Sequence, residues 1–260
     1  MDAKSPATAA LLAMLAAGCA TVAERASETV PLPYVSNFSE SPPGDGTPLG
    51  WQTWTLSKFK KPTQYKLVSE SGRTVVKASA DASASGLVHQ VKIDPKSYPL
   101  LSWRWKVEEL IVAADNTRKN TEDSPVRVVV SFEGDLEKLS LDDRLFYDNI
   151  RLVTGQDLPY ATLMYIWENR VPRNSVIPNL HTSRIRMIVA ESGRDKLGVW
   201  QDVTRNLYED YKRAFGEEPG RVSAIGIMTD TDNTGENIHA YYGDIVFRRV
   251  APPRTVFASD

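Results

Sequence analysis

The chain has 260 residues, with 31 Lys and Arg against 33 Asp and Glu and a formal net charge of −2. That balance provides neither a positive field to gather nucleic acid nor a polybasic tail for anionic lipid, so no nucleic-acid partner is expected. A single cysteine excludes an intramolecular disulfide, and stability must rest on the core.

At the N-terminus, Leu11-Leu12-Ala13-Met14-Leu15-Ala16-Ala17-Gly18 leads straight into Cys19, the one cysteine. The apolar run is too short to span a bilayer as a helix, and small residues ahead of a cysteine resemble a lipobox. Residues 1–19 are therefore expected to be a lipoprotein-type signal ending at a lipidated Cys19, with an ordinary secretory signal as the alternative. Membrane contact would be through the lipid anchor only. Residues 20–33 are small, polar and proline-containing, which suits a flexible tether. Residues 34–250 read as one domain and 251–260 as a C-terminal tail.

Within the body, short runs rich in β-branched and aromatic residues recur between turn clusters. They are Tyr65–Val68, Thr74–Ala78, Gly86–Ile93, Leu100–Val107, Val126–Phe132, Ala161–Trp167, Arg184–Glu191, Ser223–Met228 and His239–Arg248. Such a series predicts a mainly β chain folded as an antiparallel sandwich of two packed sheets. Two stretches have helical spacing instead. Leu139–Val153 carries Leu141, Leu145, Phe146 and Ile150 behind Ser140, and Asp202–Phe215 carries Val203, Leu207, Tyr211 and Phe215 ahead of Gly216. One or two helices should cover the sandwich.

Alternation separates the faces of the strands. Leu101, Trp103, Trp105 and Val107 oppose Ser102, Arg104 and Lys106; Val126, Val128, Val130 and Phe132 oppose Arg127 and Ser131. Arg184 and Arg186 oppose Ile185, Met187 and Val189. If these strands share a sheet, Arg104, Arg127, Arg184 and Arg186 form a polar face suited to the carboxylates of an anionic glycan, while solvated or paired arginines are the simpler alternative. Trp103, Trp105 and Trp167 fall in phase with the core. Trp51 and Trp54, in a glycine- and proline-flanked segment, are the candidates for sugar stacking.

Thr229-Asp230-Thr231-Asp232-Asn233-Thr234-Gly235-Glu236 is the densest polar cluster. Asp230, Asp232 and Glu236, with Asp244 from the following strand, offer the hard oxygens that a structural calcium requires. The alternative is a turn in which Asp and Asn side chains bond their own backbone. The twelfth position from Asp230 is Tyr241, so the loop is not a helix-loop-helix calcium site.

Four blocks together resemble the bacterial family known as domain of unknown function 3047. They are Leu100-Leu101-Ser102-Trp103-Arg104-Trp105, Leu158-Pro159-Tyr160-Ala161-Thr162-Leu163-Met164-Tyr165-Ile166-Trp167, Ala214-Phe215-Gly216-Glu217-Glu218-Pro219 and Thr229-Asp230-Thr231-Asp232-Asn233-Thr234-Gly235. The resemblance implies one jelly-roll-like sandwich in the envelope of a Gram-negative bacterium, on the outer-membrane or periplasmic side, and supplies no activity.

No nucleophile elbow surrounds His89, His181 or His239, and no paired histidines suit zinc. The catalytic residues are unassigned. A polysaccharide hydrolase or lyase, drawing on Asp123, Glu122, Arg104, Arg127, Tyr165 or His181, stays open beside a structural or assembly protein. The leading expectation is a lipid-anchored module that binds a glycan or other anionic envelope polymer. Replacing the anchor residue, Cys19→Ser, should move the protein from the membrane pellet to the soluble fraction and abolish incorporation of labelled palmitate; unchanged fractionation and labelling would remove the lipobox reading.

Overall fold

Leu100–Val107 shows how sequence becomes layer. Its side chains alternate strictly between buried and half-buried, and the buried set, Leu101, Trp103, Trp105 and Val107, faces the interior. The computed structural model describes residues 34–55, 57 and 59–250, so the expected signal segment with Cys19, the expected tether over 20–33 and the expected tail over 251–260 lie outside the described residues.

In chain order the strands begin with β1 (Gln52–Thr55), β2 (Gln64–Glu70), β3 (Arg73–Asp81), β4 (Ala84–Ile93), β5 (Leu100–Val107) and β6 (Ser124–Phe132). Helix α1 (Leu141–Thr154) precedes β7 (Ala161–Glu168), β8 (Val176–Pro178), β9 (Ile185–Ser192) and β10 (Gln201–Asn206). Helix α2 (Leu207–Phe215), β11 (Val222–Asp230) and β12 (Asn237–Arg248) follow.

The strands form two sheets, one of seven in the order β1-β4-β11-β6-β7-β9-β8 and one of five in the order β10-β5-β12-β3-β2. The fold is a mainly β, jelly-roll-like sandwich, as the sequence predicts. One pairing departs from the antiparallel expectation: β7 and β9 run parallel, because the chain between them makes a long excursion that includes β8 before re-entering the sheet. The core lies between the sheets. Trp103 packs 4.8 Å from Tyr165 and Trp105 lies 6.5 Å from Trp167, ring centre to ring centre, joining β5 to β7 across the sandwich.

The second predicted helix is half strand. Gln201–Asn206 pairs with β5 from Gln201↔Trp105 to Asn206↔Leu100, and only Leu207–Phe215 is helical. The apolar spacing from Val203 to Phe215 is helical, but the open edge of β5 offers the Gln201–Asn206 backbone its hydrogen-bond partners. Asn206 then caps the helix by accepting from the Glu209 amide at 3.1 Å.

Helix α1 begins at Ser140, whose hydroxyl accepts from the Asp143 amide at 3.1 Å, and ends at Gly155 in the left-handed region. It is perched on the sandwich rather than sunk into it: Asp143 is its one buried residue, and Leu141, Leu145 and Leu152 are exposed. The Asp143 carboxylate accepts from the Thr182 hydroxyl at 2.6 Å, the Ser183 amide at 2.8 Å and the Ser183 hydroxyl at 2.6 Å. The Tyr147 hydroxyl donates to the Pro159 carbonyl at 2.8 Å.

Burial alone would raise the Asp143 pKa, but these bonds, with one from the Ser140 hydroxyl, outweigh it and hold the carboxyl at about 2. A folded pKa below the unfolded one stabilises the protein above about pH 4, and that stabilisation fades as pH falls toward 2. Asp143→Asn should therefore lose about 2 kcal/mol at pH 7, with most of the gap from wild type closed near pH 2, read from denaturant midpoints. A gap unchanged by pH would refute the assignment.

A candidate binding cleft on the seven-stranded sheet

The outer face of the seven-stranded sheet is not packed flat. In its middle, β11 presents the small residues Ala224 and Gly226 at the floor, beside Val88 and Gln90 of β4. Trp54 of β1 stands directly across from Gly86, and a Cβ there would lie 2.5 Å from the Ile227 carbonyl oxygen and 3.0 Å from the Trp54 ring. Glycine is thus required for the ring to lie over the strand. Between this floor and α1 runs a groove of about 900 Å³. Phe146, Ile150 and Val153 of α1 wall it, and Val129, Met164 and Ile185 line the sheet side.

A second hollow of about 580 Å³ adjoins it and shares Lys60, Met164, His181 and Ile185. Its lining is more polar than that of the groove, with Lys119, Glu122, Asn179, Asp232 and Asn233 around a floor of Arg127 and Asp230, beside Met164, Ile185 and Met228. The two hollows form one cleft with an apolar half and a polar half.

Arg127 and Asp230 lock together at the polar end, their side chains only 2% and 7% exposed. Arg127 Nε donates to Asp230 Oδ1 at 2.9 Å and Nη2 to Oδ2 at 3.1 Å, a two-point fork. Nη2 also donates to the Glu122 carbonyl at 3.0 Å, and Nη1 lies 3.2 Å from the Met187 sulfur. The Ser124 amide donates to Asp230 Oδ1 at 3.1 Å. Burial pushes the Asp230 carboxyl up to about 6 against the opposing pull of Arg127. The Asp230 charge keeps Arg127 protonated despite its burial.

Asp123, Asp230 and Asp232 each bring an oxygen within 4.8 Å of the others. All are already held by protein donors. Asp123 accepts from the Thr234 amide at 2.7 Å and its hydroxyl at 2.8 Å, and Asp232 pairs with Lys60. Asp123 thereby fixes the turn after β11. The expected set of Asp230, Asp232, Glu236 and Asp244 is not gathered. Glu236 accepts from the Val112 and Ala113 amides, both at 2.8 Å, and Asp244 accepts from the Ser39 amide at 3.0 Å and its hydroxyl at 2.6 Å.

The four arginines singled out in the sequence divide among three environments. Only Arg127 reaches the cleft. Arg104 lies on the outer face of the five-stranded sheet, 4.7 Å over the Trp200 ring and 3.4 Å from Asp202, its stem against Gly243. Arg184 and Arg186 sit beside α2: Arg184 pairs with Glu217 at 2.6 Å and stacks 4.0 Å over Tyr160, and Arg186 donates to the Ala214 carbonyl at 3.3 Å. Arg104 lies on the other sheet, whereas Arg186 shares a sheet with Arg127 but lies on its opposite face, in line with Leu163 and not with Ile166.

Trp51 is buried 4.7 Å from Phe38, its indole N–H donating to the Ser36 carbonyl at 2.9 Å, whereas Trp54 lines the groove. Among the candidates for catalysis, Tyr165 is a core residue whose hydroxyl donates to Asp210 at 3.0 Å. Glu122 accepts from Asn179 at 3.3 Å, and His181 stacks 5.9 Å from Phe146 where the halves meet. Lys60, Lys119, Asn179 and Ile150 are cleft residues that sequence reasoning missed. The signal available was Gly226, interrupting the otherwise apolar run Ala224–Met228.

The sequence profile of the family described as "Protein of unknown function (DUF3047)" matches residues 49–246, and the chain belongs to that family. No curated protein sequence matches it. Among solved structures it is similar to the xyloglucanase domain of NopAA, a type three effector from Sinorhizobium fredii, in complex with cellobiose, at 10% identity and a TM-score of 0.43, covering 82% of this chain and 100% of that one. A beta-1,2-glucanase from Parabacteroides distasonis aligns at 13% identity and a TM-score of 0.38, over 86% of this chain and 26% of the other. The glycoside hydrolase domain of Endo-D from Streptococcus pneumoniae aligns at 8% identity and a TM-score of 0.34, over 76% and 21%. The chain thus spans about a quarter or less of those last two. At such identities and scores the likeness assigns no ligand and no reaction.

Breaking the buried pair at the cleft floor should be costly. Arg127→Met leaves a buried carboxylate uncompensated and should destabilise the protein by about 3–5 kcal/mol, with part restored in the Arg127→Met, Asp230→Asn double variant. Urea midpoints measure both; a single variant as stable as wild type would contradict the role given to the pair.

Proposed function

We propose that this DUF3047 member is a glycan-binding module of the cell envelope, and that sugar hydroxyls occupy the polar half of the cleft. The observation that supports this is the composition of that half: amide, carboxylate and ammonium groups line an open hollow on a sheet face, supplying donors and acceptors side by side. Its charge is balanced. Lys60, Lys119 and Arg127 stand against Glu122, Asp230 and Asp232, and the Arg127 fork is already filled by Asp230. An anionic polymer gains little net attraction there, so a neutral glycan suits the site better than the acidic one expected from an arginine face. The reading does not need calcium, because Arg127 and Lys60 already face Asp230 and Asp232 with positive charge. Attachment through Cys19 is part of the proposal and would present the cleft to envelope polymers.

Electrophoresis of the purified protein through gels holding neutral or acidic polysaccharides tests it. Retardation in a neutral gel is expected, and Glu122→Ala, which removes a half-buried lining carboxylate, should weaken apparent affinity roughly tenfold. Free migration in every gel would overturn the reading, and loss of polymer around the band would replace binding with degradation.

A further inference from the structure

The apolar half of the cleft has no task in binding sugar hydroxyls. Its groove of about 900 Å³ is lined on one side by Val129, Met164 and Ile185 and on the other by Phe146 and Ile150, with Trp54 on the floor. Water in such a space finds few partners, so the groove favours an apolar occupant. The absence of a side chain at Gly226 keeps it open, whereas a bulkier residue there would fill it from the sheet side. The groove also adjoins the polar half, the two sharing Lys60, Met164, His181 and Ile185 as walls. A ligand lying across both halves must be apolar at one end and hydroxyl-rich at the other.

From this adjacency we infer that the ligand is an acylated glycan, with its alkyl chain held between α1 and the sheet and its sugar in the polar half. The inference rests on the glycan reading and adds the chemical class of the ligand. The perched geometry of α1 fits this role. The helix is secured to the sandwich through Asp143 and Tyr147, leaving Phe146, Ile150 and Val153 to face a chain rather than a packed core.

The test is a calorimetric titration of the purified protein with octyl, decyl and dodecyl maltosides, each below its micelle concentration, and with alkyl dimethylamine oxides of the same lengths. Affinity for the maltosides should rise by up to roughly fourfold per added methylene, the amount expected when each one leaves water. Ile150→Glu, which places a charge on the groove wall, should abolish that dependence on chain length. Should Ile150→Glu fail to fold, Val153→Glu, at a more exposed lining position, reports the same loss.

A flat response to chain length, with polysaccharide retardation retained, overturns the acyl inference and leaves the glycan reading standing. A steep response that is equal for maltosides and amine oxides overturns the acylated-glycan assignment, because the sugar then contributes nothing. Chain dependence together with a preference for the maltoside that Glu122→Ala removes is the result expected of an acylated glycan.

Discussion

One desolvated ion pair organises the functional face of this protein. Arg127 on β6 and Asp230 at the end of β11 are both out of water, and each is tolerable there only because the other is present. The guanidinium also reaches the Glu122 carbonyl and, at 3.3 Å, the Asn116 amide oxygen, so the loop before β6 is fastened to the same point. Through the Ser124 amide and the neighbouring Asp123, the pair and its surroundings fix where the chain turns after β11. The polar half of the cleft is the surface of this knot. Its two strongest charges cancel internally, and what is left for a ligand is a field of short-range hydrogen-bonding groups.

The other half of the cleft arises from the opposite circumstance. Inside the sandwich, large rings pack against one another, as Trp103, Trp105, Tyr165 and Trp167 show. Outside, β4 and β11 carry glycine and alanine where a covering helix would need knobs to pack against, so α1 stands off from the sheet. Its hold is polar and concentrated near its first turns. A helix attached in this way shapes a groove without closing it.

Much of the fold was legible in the sequence because strict alternation marks a strand with one wet face. Leu100–Val107 was delimited without error, and the buried tryptophans fell where their phase put them. Short or polar strands gave no such signal: β1, β8 and β10 owe their pairing to the edges they complete, not to their own residues. The site was much less legible. Arg104 and Arg127 look alike in their strands, yet one lies on each sheet, because the order of strands is set by packing between distant segments. Asp230 stands in a run that reads as a metal loop or a turn, and only its partner 103 positions away shows it to be half of an ion pair. Gly226 in the groove and Gly86 beneath Trp54 were visible as letters, but their meaning depended on which strands lie beside them.

The place of the last two strands carries a consequence for how such a chain is made. β11 lies between β4 and β6, and β12 lies between β3 and β5, so the final stretch of the body supplies a central strand to each sheet. Neither sheet can assemble in sequence order as the chain emerges. The pairings that flank them close loops of roughly ninety residues or more and wait, at that entropic cost, until Val222–Arg248 arrives. Local pairs such as β2–β3 and β6–β7 need no distant segment, but neither sheet is continuous until its late strand is in place.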